Sequence, residues 1–253
     1  MDHKGRLAGA RMALDKSRLD ALVITHLPNV HYLCGFTGSA GALVIGKRDS
    51  VLFTDGRYTQ QARAEVKSAT VEIIRKSALT AAGDWLASQA SLRRIGIEPA
   101  HVTVGERNVL SRAVRRGSKL VEAPPIVEQM RMIKDAEEIG RISAACRLGN
   151  ELFGVLLEAI RPGVRELQVA GELEFAARKA GAEQMAFPTI VAGGLRSALP
   201  HGRASAAVIP ARGFVVCDFG VILAGYCSDM TRTLHVGRPP TKARRPCSPR
   251  STT

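Results

Sequence analysis

The chain lacks the cysteine patterns that mark a disulfide framework or a zinc site. It has five cysteines, an odd number, and no two of them form a Cys-x-x-Cys pair. They are Cys34, Cys146, Cys217, Cys227 and Cys247. We therefore predict a reducing, cytoplasmic context with structural rather than cross-linked cysteines.

Long apolar runs are also missing. No stretch of 18 apolar residues occurs, so no segment is predicted to cross a membrane. The first 20 residues are charged throughout and contain no apolar segment of the signal-peptide type. We expect no membrane partner.

Aromatic residues are scarce, at 4% of the chain, which leaves few side chains for stacking on nucleic-acid bases. The net charge of +13 is the one feature that favours nucleic acid as a partner. Five of the basic residues lie in the acid-free segment 238–253, and the remaining +8 is spread along the chain. A basic but ordinary surface is the preferred interpretation, and we expect no nucleic-acid partner.

Common catalytic loop motifs are absent as well. The glycine-rich segment around Ser39 is neither a Gly-x-Ser-x-Gly nucleophile elbow nor a Walker phosphate loop. We interpret it as a turn between two strands, and no internal repeat occurs in the chain.

Residues 1–125 show the pattern of an α/β layer domain. Short β-prone runs, such as residues 21–25 and 93–99, alternate with segments of helical periodicity, such as residues 79–90. The pair Pro124-Pro125 breaks this alternation, and we place the domain boundary there.

Residues 126–237 are predicted to begin a second domain, of α+β type. A long amphipathic helix starts at Asp135, and acidic residues in its first turn complement the helix dipole. A second helix ends at Gly181, and strands and turns follow from Met185 onward. Residues 238–253 have no apolar periodicity, so we predict a disordered basic tail.

The strongest chemical signal is a pair of aspartates on two adjoining β-prone runs. A hairpin centred on Leu223 and Ala224 would place Asp218 directly opposite Asp229. Opposed carboxylates, with Cβ atoms about 4.5–5.5 Å apart, repel each other unless one is protonated or a cation lies between them. Two divalent ions held by carboxylates are a recurring hydrolytic device. The alternatives are exposed strand ends, or a wider loop or bulge that changes the pairing.

A histidine precedes this segment on a loop. His201 lies 17 residues before Asp218, between Pro200 and Gly202. A histidine in this setting is suited to bind substrate or ligate a metal, and an exposed loop histidine without such a role is the alternative.

Several segments together resemble the Xaa-Pro aminopeptidases and Xaa-Pro dipeptidases of the creatinase/prolidase group. Residues 29–45 and 52–62 resemble the family's N-terminal domain. Residues 130–142 resemble the opening of its C-terminal domain. The segment that leads to the family's metal site is resembled by residues 197–205, 215–233 and 235–237. The resemblance covers residues 1 to about 237, in the family's order.

The resemblance implies a creatinase-like α/β N-terminal domain and an α+β "pita-bread" catalytic domain. It implies removal of an N-terminal residue that precedes proline, by two divalent ions, most often Mn²⁺, with Co²⁺ or Zn²⁺ as alternatives. Asp218 and Asp229 match two of five metal ligands, with Asp229 as the bridge. His201 matches a histidine that helps hold the substrate and the reaction intermediate. Peptides with proline at the second position are the implied substrates, and a homodimer is an implied assembly.

The chain departs from the family pattern after Gly237. The family's remaining ligands, one His and two Glu, lie further downstream, whereas residues 238–253 contain neither residue type. We therefore expect an incomplete catalytic domain that holds metal weakly and is inactive or nearly so, with a tail that originates from a frameshift. The alternative function is a non-catalytic module that binds peptides or nucleic acid on the same fold.

Overall fold

The computed structural model of the chain describes residues 1–238, in two compact units that divide between Ile133 and Lys134. The boundary predicted after Pro125 is therefore placed too early. The reason is a short helix, α6 (Ile126–Met132), whose residues Ile126 and Val127 are buried in the core of the first unit. The predicted disordered tail, apart from Arg238, lies outside the described residues.

The first unit alternates helices and strands, and the predicted α/β domain is confirmed. The other helices are α1 (His3–Lys16), α2 (Leu27–Cys34), α3 (Thr59–Glu65), α4 (Ala78–Ser88) and α5 (Val104–Ala113). The strands are β1 (Ala21–Ile24), β2 (Ala42–Gly46), β3 (Ser50–Asp55), β4 (Thr70–Ile74), β5 (Arg94–Ile97) and β6 (Lys119–Glu122). They form one mixed sheet in the order β4-β3-β2-β1-β5-β6.

The central strands of the sheet are buried on both faces. Successive side chains of a strand point to opposite faces. In β1, Leu22 and Ile24 accordingly belong to one apolar cluster, whereas Ala21 and Val23 belong to another. This two-sided burial explains why β1 consists of consecutive apolar residues rather than alternating polar and apolar ones.

The second unit begins with two helices, α7 (Ala136–Ala159) and α8 (Glu166–Lys179). Asp135 is the N-cap of α7, as predicted, and its side chain accepts a hydrogen bond from the backbone N–H of Glu138. The strands that follow are β7 (Gln184–Met185), β8 (Ile190–Gly193), β9 (Gly213–Phe219), β10 (Val221–Leu223), β11 (Tyr226–Cys227) and β12 (Met230–Val236). They form two three-stranded sheets, β11-β10-β7 and β12-β9-β8.

The core of the second unit lies between these helices and one face of β9. Val215, Cys217 and Phe219 of β9 are fully buried in an apolar cluster with residues of α7 and α8. Because side chains alternate along a strand, Asp218 lies on the other face of β9, away from this core. Within residues 1–238, no helix combines the length and apolar content needed to cross a membrane.

Candidate metal and peptide site

Asp218 lies in β9, and Asp229 directly precedes β12, the strand that pairs with β9, but the two aspartates are not directly opposed. In the antiparallel ladder of β9 and β12, Asp218 lies opposite Thr231. Asp229 comes two residues before Thr231, and in the same register it lies opposite Gly220. The predicted pairing of Asp218 with Asp229 is therefore wrong by two residues.

The turn of the hairpin explains the shift. Leu223 pairs with Tyr226, so the two-residue loop is Ala224-Gly225 rather than Leu223-Ala224. Both loop residues have positive φ, 49° at Ala224 and 77° at Gly225, as a type I′ turn requires. Glycine adopts this conformation without strain, whereas the predicted centring would impose it on Leu223. The glycine after Ala224 was the sequence signal for the correct register.

Continued one residue past Met230, the register of β9 and β12 puts Asp229 on the same face of the hairpin as Asp218. The pairing of Ile222 with Cys227 and that of Phe219 with Met230 share one register, so no bulge separates them. Strand side chains repeat every two residues, which makes Asp218 and Asp229 diagonal neighbours across the ladder. Backbone positions related in this way are about 7–8 Å apart.

Asp218 has an unsatisfied carboxylate oxygen. Its Oδ1 atom is buried and has no hydrogen-bond partner among the described residues, whereas the Asp229 side chain is exposed. A buried, unpaired oxygen of an ionised group is costly, because it has lost water and gained nothing in return. An oxygen of this kind, with a second carboxylate on the same face, fits a divalent cation.

The donor set is small. Within residues 1–238, no group of three or more His, Cys, Asp or Glu side chains is placed to hold a metal ion. Asp218 and Asp229 are the acidic residues of the hairpin segment 213–236.

His201 lies on the exposed loop between β8 and β9. Two residues after it, Arg203 forms an isolated bridge with Ile190 of β8, and Ile190 in turn pairs with Asp218. Neighbouring strands are about 4.8 Å apart, so the backbone at Arg203 lies roughly 10 Å from that of Asp218. The loop of His201 is thus attached to the same sheet, two strand positions from Asp218.

The hairpin turn is attached to α7 by polar contacts. The Tyr226 hydroxyl donates a hydrogen bond of 2.9 Å to Glu138 Oε1, and Arg141 Nη1 donates one of 3.3 Å to the carbonyl oxygen of Ala224. These contacts hold the hairpin on the helix that packs against its sheet.

One prominent feature of this region was not foreseen from the sequence. Glu166, the first residue of α8, is fully buried and binds the loop that carries His201 through Gly193, Arg196 and Ser205. The partners lie 27 to 39 residues away along the chain, and no local motif connects them. Only the packing of α8 against β8 brings them together.

Comparison with known proteins gives a consistent result over both units. The creatinase/prolidase N-terminal domain matches residues 6–133, and the metallopeptidase family M24 matches residues 140–247. The first match ends at the observed boundary between the two units. The second continues past Gly237, where the resemblance was expected to end.

Among curated relatives, an uncharacterized peptidase, YqhT, of Bacillus subtilis is 41% identical over 221 residues, covering 87% of this chain and 62% of that protein. An Xaa-Pro dipeptidase of Pyrococcus horikoshii is 31% identical and covers 89% of this chain and 62% of its own length. The chain thus spans about 62% of the length of these relatives.

Solved structures show the same relationship. An Xaa-Pro dipeptidase from Bacillus anthracis matches with a TM-score of 0.90 and 34% identity, over 96% of this chain and 67% of that one. The prolidase from Pyrococcus horikoshii OT3 matches with a TM-score of 0.86 and 30% identity, over 93% of this chain and 66% of that one.

Proposed function

The chain belongs to the metallopeptidase family M24 with a creatinase/prolidase N-terminal domain, and from this premise we propose that it is a metal-dependent peptidase of the Xaa-Pro type. The substrates we propose are dipeptides and longer peptides with proline at the second position. The names of the relatives, Xaa-Pro dipeptidase and prolidase, support this substrate class.

The observation that carries the proposal is the buried Oδ1 of Asp218, which has no partner among the described residues. The continued register of β9 and β12 supports Asp229 as the second carboxylate on that face. These two carboxylates would hold the divalent ions, and Mn²⁺ is the ion we propose, with Co²⁺ or Zn²⁺ as alternatives. When bound in a carboxylate site, such ions polarise a carbonyl group and activate water for hydrolysis. The exposed imidazole of His201 would bind the peptide and orient its carbonyl group.

The strength of metal binding follows from the number of ligands. Two carboxylates leave most coordination positions of a divalent ion to water, so the ion is held weakly. We therefore propose that residues 1–253 alone bind metal weakly and cleave Xaa-Pro peptides slowly or not at all. We also propose a cytoplasmic location, to which the four free cysteines among the described residues are suited, and a homodimer formed through the N-terminal unit.

The metal site is tested by isothermal titration calorimetry with MnCl₂ on the wild-type chain and on Asp218→Asn and Asp229→Asn. We expect weak binding by the wild type and its loss in both variants, because each removes a negatively charged ligand. Binding that is unchanged in both variants would place the ions elsewhere and refute the site.

The cleavage step is tested separately with an Xaa-Pro dipeptide in the presence of Mn²⁺. We expect little or no turnover by the purified chain, and any turnover that occurs should disappear in Asp218→Asn. Rapid turnover that survives this substitution would contradict the assignment of the aspartates.

A non-catalytic nucleic-acid-binding module is the second candidate, favoured by the net charge of +13. Binding of a short DNA duplex would then weaken steeply with salt, because neutralised phosphates release counterions. Binding without a salt slope, or no binding at low salt, excludes this candidate.

A further inference from the structure

The carboxylate of Glu166 is buried and its oxygens accept several hydrogen bonds. Its side chain is fully excluded from solvent. The backbone N–H of Gly193 donates to Oε1 at 2.9 Å, and the N–H and hydroxyl of Ser205 donate to Oε2 at 3.1 and 2.7 Å. Arg196 Nε lies 3.1 and 3.2 Å from the two oxygens and neutralises the charge.

Two of these donors, Gly193 and Ser205, lie at the two ends of one loop. Gly193 is the last residue of β8, and Ser205 lies beyond the bridge between Arg203 and Ile190. A single carboxylate therefore closes residues 194–205, the loop that carries His201, into a compact surface loop whose ends are close together.

Arg196 extends the same network into the loop. Its Nε atom binds Glu166, and its Nη2 atom donates a hydrogen bond of 2.8 Å to the carbonyl oxygen of Arg203. The N–H of Arg203 donates to the carbonyl oxygen of His201 at 2.9 Å. The backbone carbonyl of His201 is thus connected to Glu166 through three successive hydrogen bonds, two of them made by the Arg196 side chain.

The two leucines of this loop contribute little apolar packing. Leu195 is 98% exposed and Leu199 is 50% exposed, so neither leucine anchors the segment in a core. Loops with few buried apolar contacts open locally unless polar contacts hold them. The carboxylate of Glu166 therefore supplies a polar restraint at both ends of the loop.

We propose that Glu166 is a positioning residue that fixes His201 relative to Asp218 by closing the loop 194–205, with Arg196 as its countercharge. The distance from the loop to the strand of Asp218 is set at Ile190, which pairs with both Arg203 and Asp218. The significance for catalysis rests on the proposed function of His201 and Asp218, whereas the closure of the loop does not.

A negatively charged group is needed for this role. Glutamine at the same position would offer one acceptor oxygen and would turn its amide hydrogens toward the other donors. The donors of Gly193, Arg196 and Ser205 could then not all be satisfied. Glu166→Gln is therefore the informative substitution, and Glu172→Gln, at an exposed position of the same helix, is the matched control.

The first experiment is limited trypsin digestion of the full chain, with fragments identified by mass spectrometry. Arg196 and Arg203 lie in the loop, whereas Arg178 and Lys179 at the exposed end of α8 report on the rest of the unit. We expect Glu166→Gln to speed cleavage after Arg196 and Arg203 about tenfold, because local opening exposes the loop. Cleavage after Arg178 and Lys179 should be unchanged, and Glu172→Gln should match the wild type at all four sites.

The second experiment follows the His201 imidazole by NMR, since a merely stabilising role would not change its environment selectively. In Glu166→Gln the His201 resonances should shift and broaden, whereas those of His235, in β12, should stay in place. Glu166→Asp keeps the charge on a shorter side chain and should give an intermediate spectrum. Ser205→Ala, which removes one donor without changing charge, should show the same effect in weaker form and serves if Glu166→Gln does not fold.

Two outcomes would overturn the proposal. Equal acceleration at all four trypsin sites would show general destabilisation, and an unchanged His201 spectrum would show that Glu166 does not position this residue. Weak Mn²⁺ binding through Asp218 and Asp229 should persist in Glu166→Gln. Failure of the wild type to bind Mn²⁺ would therefore refute the proposed metal site without altering the result for the loop.

Discussion

The backbone of Gly220 passes so close to Ser228 that a Cβ atom built on Gly220 would lie 1.9 Å from the Ser228 carbonyl oxygen. Ser228 directly precedes Asp229, and Gly220 lies two residues after Asp218. The close approach therefore occurs beside the candidate metal site, on the turn side of Asp218 and next to Asp229, at a point where only glycine fits.

Gly220→Ala should therefore disturb the hairpin at this point. We expect a loss of about 1–3 kcal/mol in the free energy of unfolding, because the strands must separate to admit the methyl group. Urea unfolding followed by circular dichroism measures this loss. Gly154→Ala is the control, since a Cβ there meets nothing within 4 Å and the residue lies inside α7. Gly154→Ala should raise the free energy of unfolding by roughly 0.5–1 kcal/mol. Equal effects of the two substitutions would contradict the packing argument.

Ala224 has a positive φ of 49° in the hairpin turn, a conformation that costs alanine more than asparagine or glycine. Ala224→Asn creates the Asn-Gly pair that type I′ turns prefer. We expect a gain of roughly 0.5–1 kcal/mol in the free energy of unfolding, in the range known for substitutions that suit the local backbone conformation. Thermal unfolding of the two proteins gives the comparison, and a lowered melting temperature would contradict the observed turn.

The ion pair between Glu166 and Arg196 predicts unequal effects of single and double substitutions. Arg196→Met leaves the buried carboxylate of Glu166 without its countercharge and should cost about 1–3 kcal/mol of unfolding free energy, because Arg196 is partly exposed and Gly193 and Ser205 still donate to the carboxylate. Combining it with Glu166→Gln removes that charge and should restore part of the loss. A double-mutant cycle in urea measures the coupling, and simple additivity would show that the pair does not interact.

His26 provides a pH-dependent contribution to the first unit. Burial lowers the pKa of its imidazole below the ordinary value of 6.5, and the nearby His101 and Arg131 add to this effect, whereas Glu128 opposes it. The ring also stacks on His101 at 3.7 Å between centroids. Because the unfolded chain takes up the proton first, this contribution is complete above pH 6.5 and is lost as the pH falls below it.

The prediction is checked by urea unfolding of the full chain between pH 5 and pH 8. The wild type should lose stability on acidification through pH 6.5, and His26→Gln should show a shallower slope over the same range. Glutamine keeps the backbone N–H that donates to Glu98 Oε2, so the start of α2 is preserved. Identical slopes would show that His26 does not titrate differently in the folded protein.

Much of the architecture was predictable because it depends on local patterns. The alternation of β-prone and helical segments indicated the α/β unit, and Asp135 was recognisable as a helix start from the acidic residues that follow it. The strand β1 was visible as a short apolar run. In each case the signal lies within a few residues of the element, where periodicity and capping act.

The predictions that were wrong concern features that depend on contacts between residues far apart in the sequence. The unit boundary depends on Ile126 and Val127, which are apolar residues after a proline pair and could have belonged to either core. The register of the hairpin depended on whether Leu223-Ala224 or Ala224-Gly225 forms the two-residue turn. Moving the turn by one residue changes the residue opposite Asp218 by two positions.

The order of the sequence thus determined which chemical groups this protein carries: two aspartates eleven residues apart, a histidine upstream of them, and the two domain types in which they lie. The tertiary structure decided which of these groups lie near each other. It paired Asp218 with Thr231, left one oxygen of Asp218 buried without a partner, and brought Glu166 to the loop of His201. The physical reason is that strand register and buried charge depend on the packing of α7 and α8 against the sheet, and no local pattern in the sequence encodes that packing.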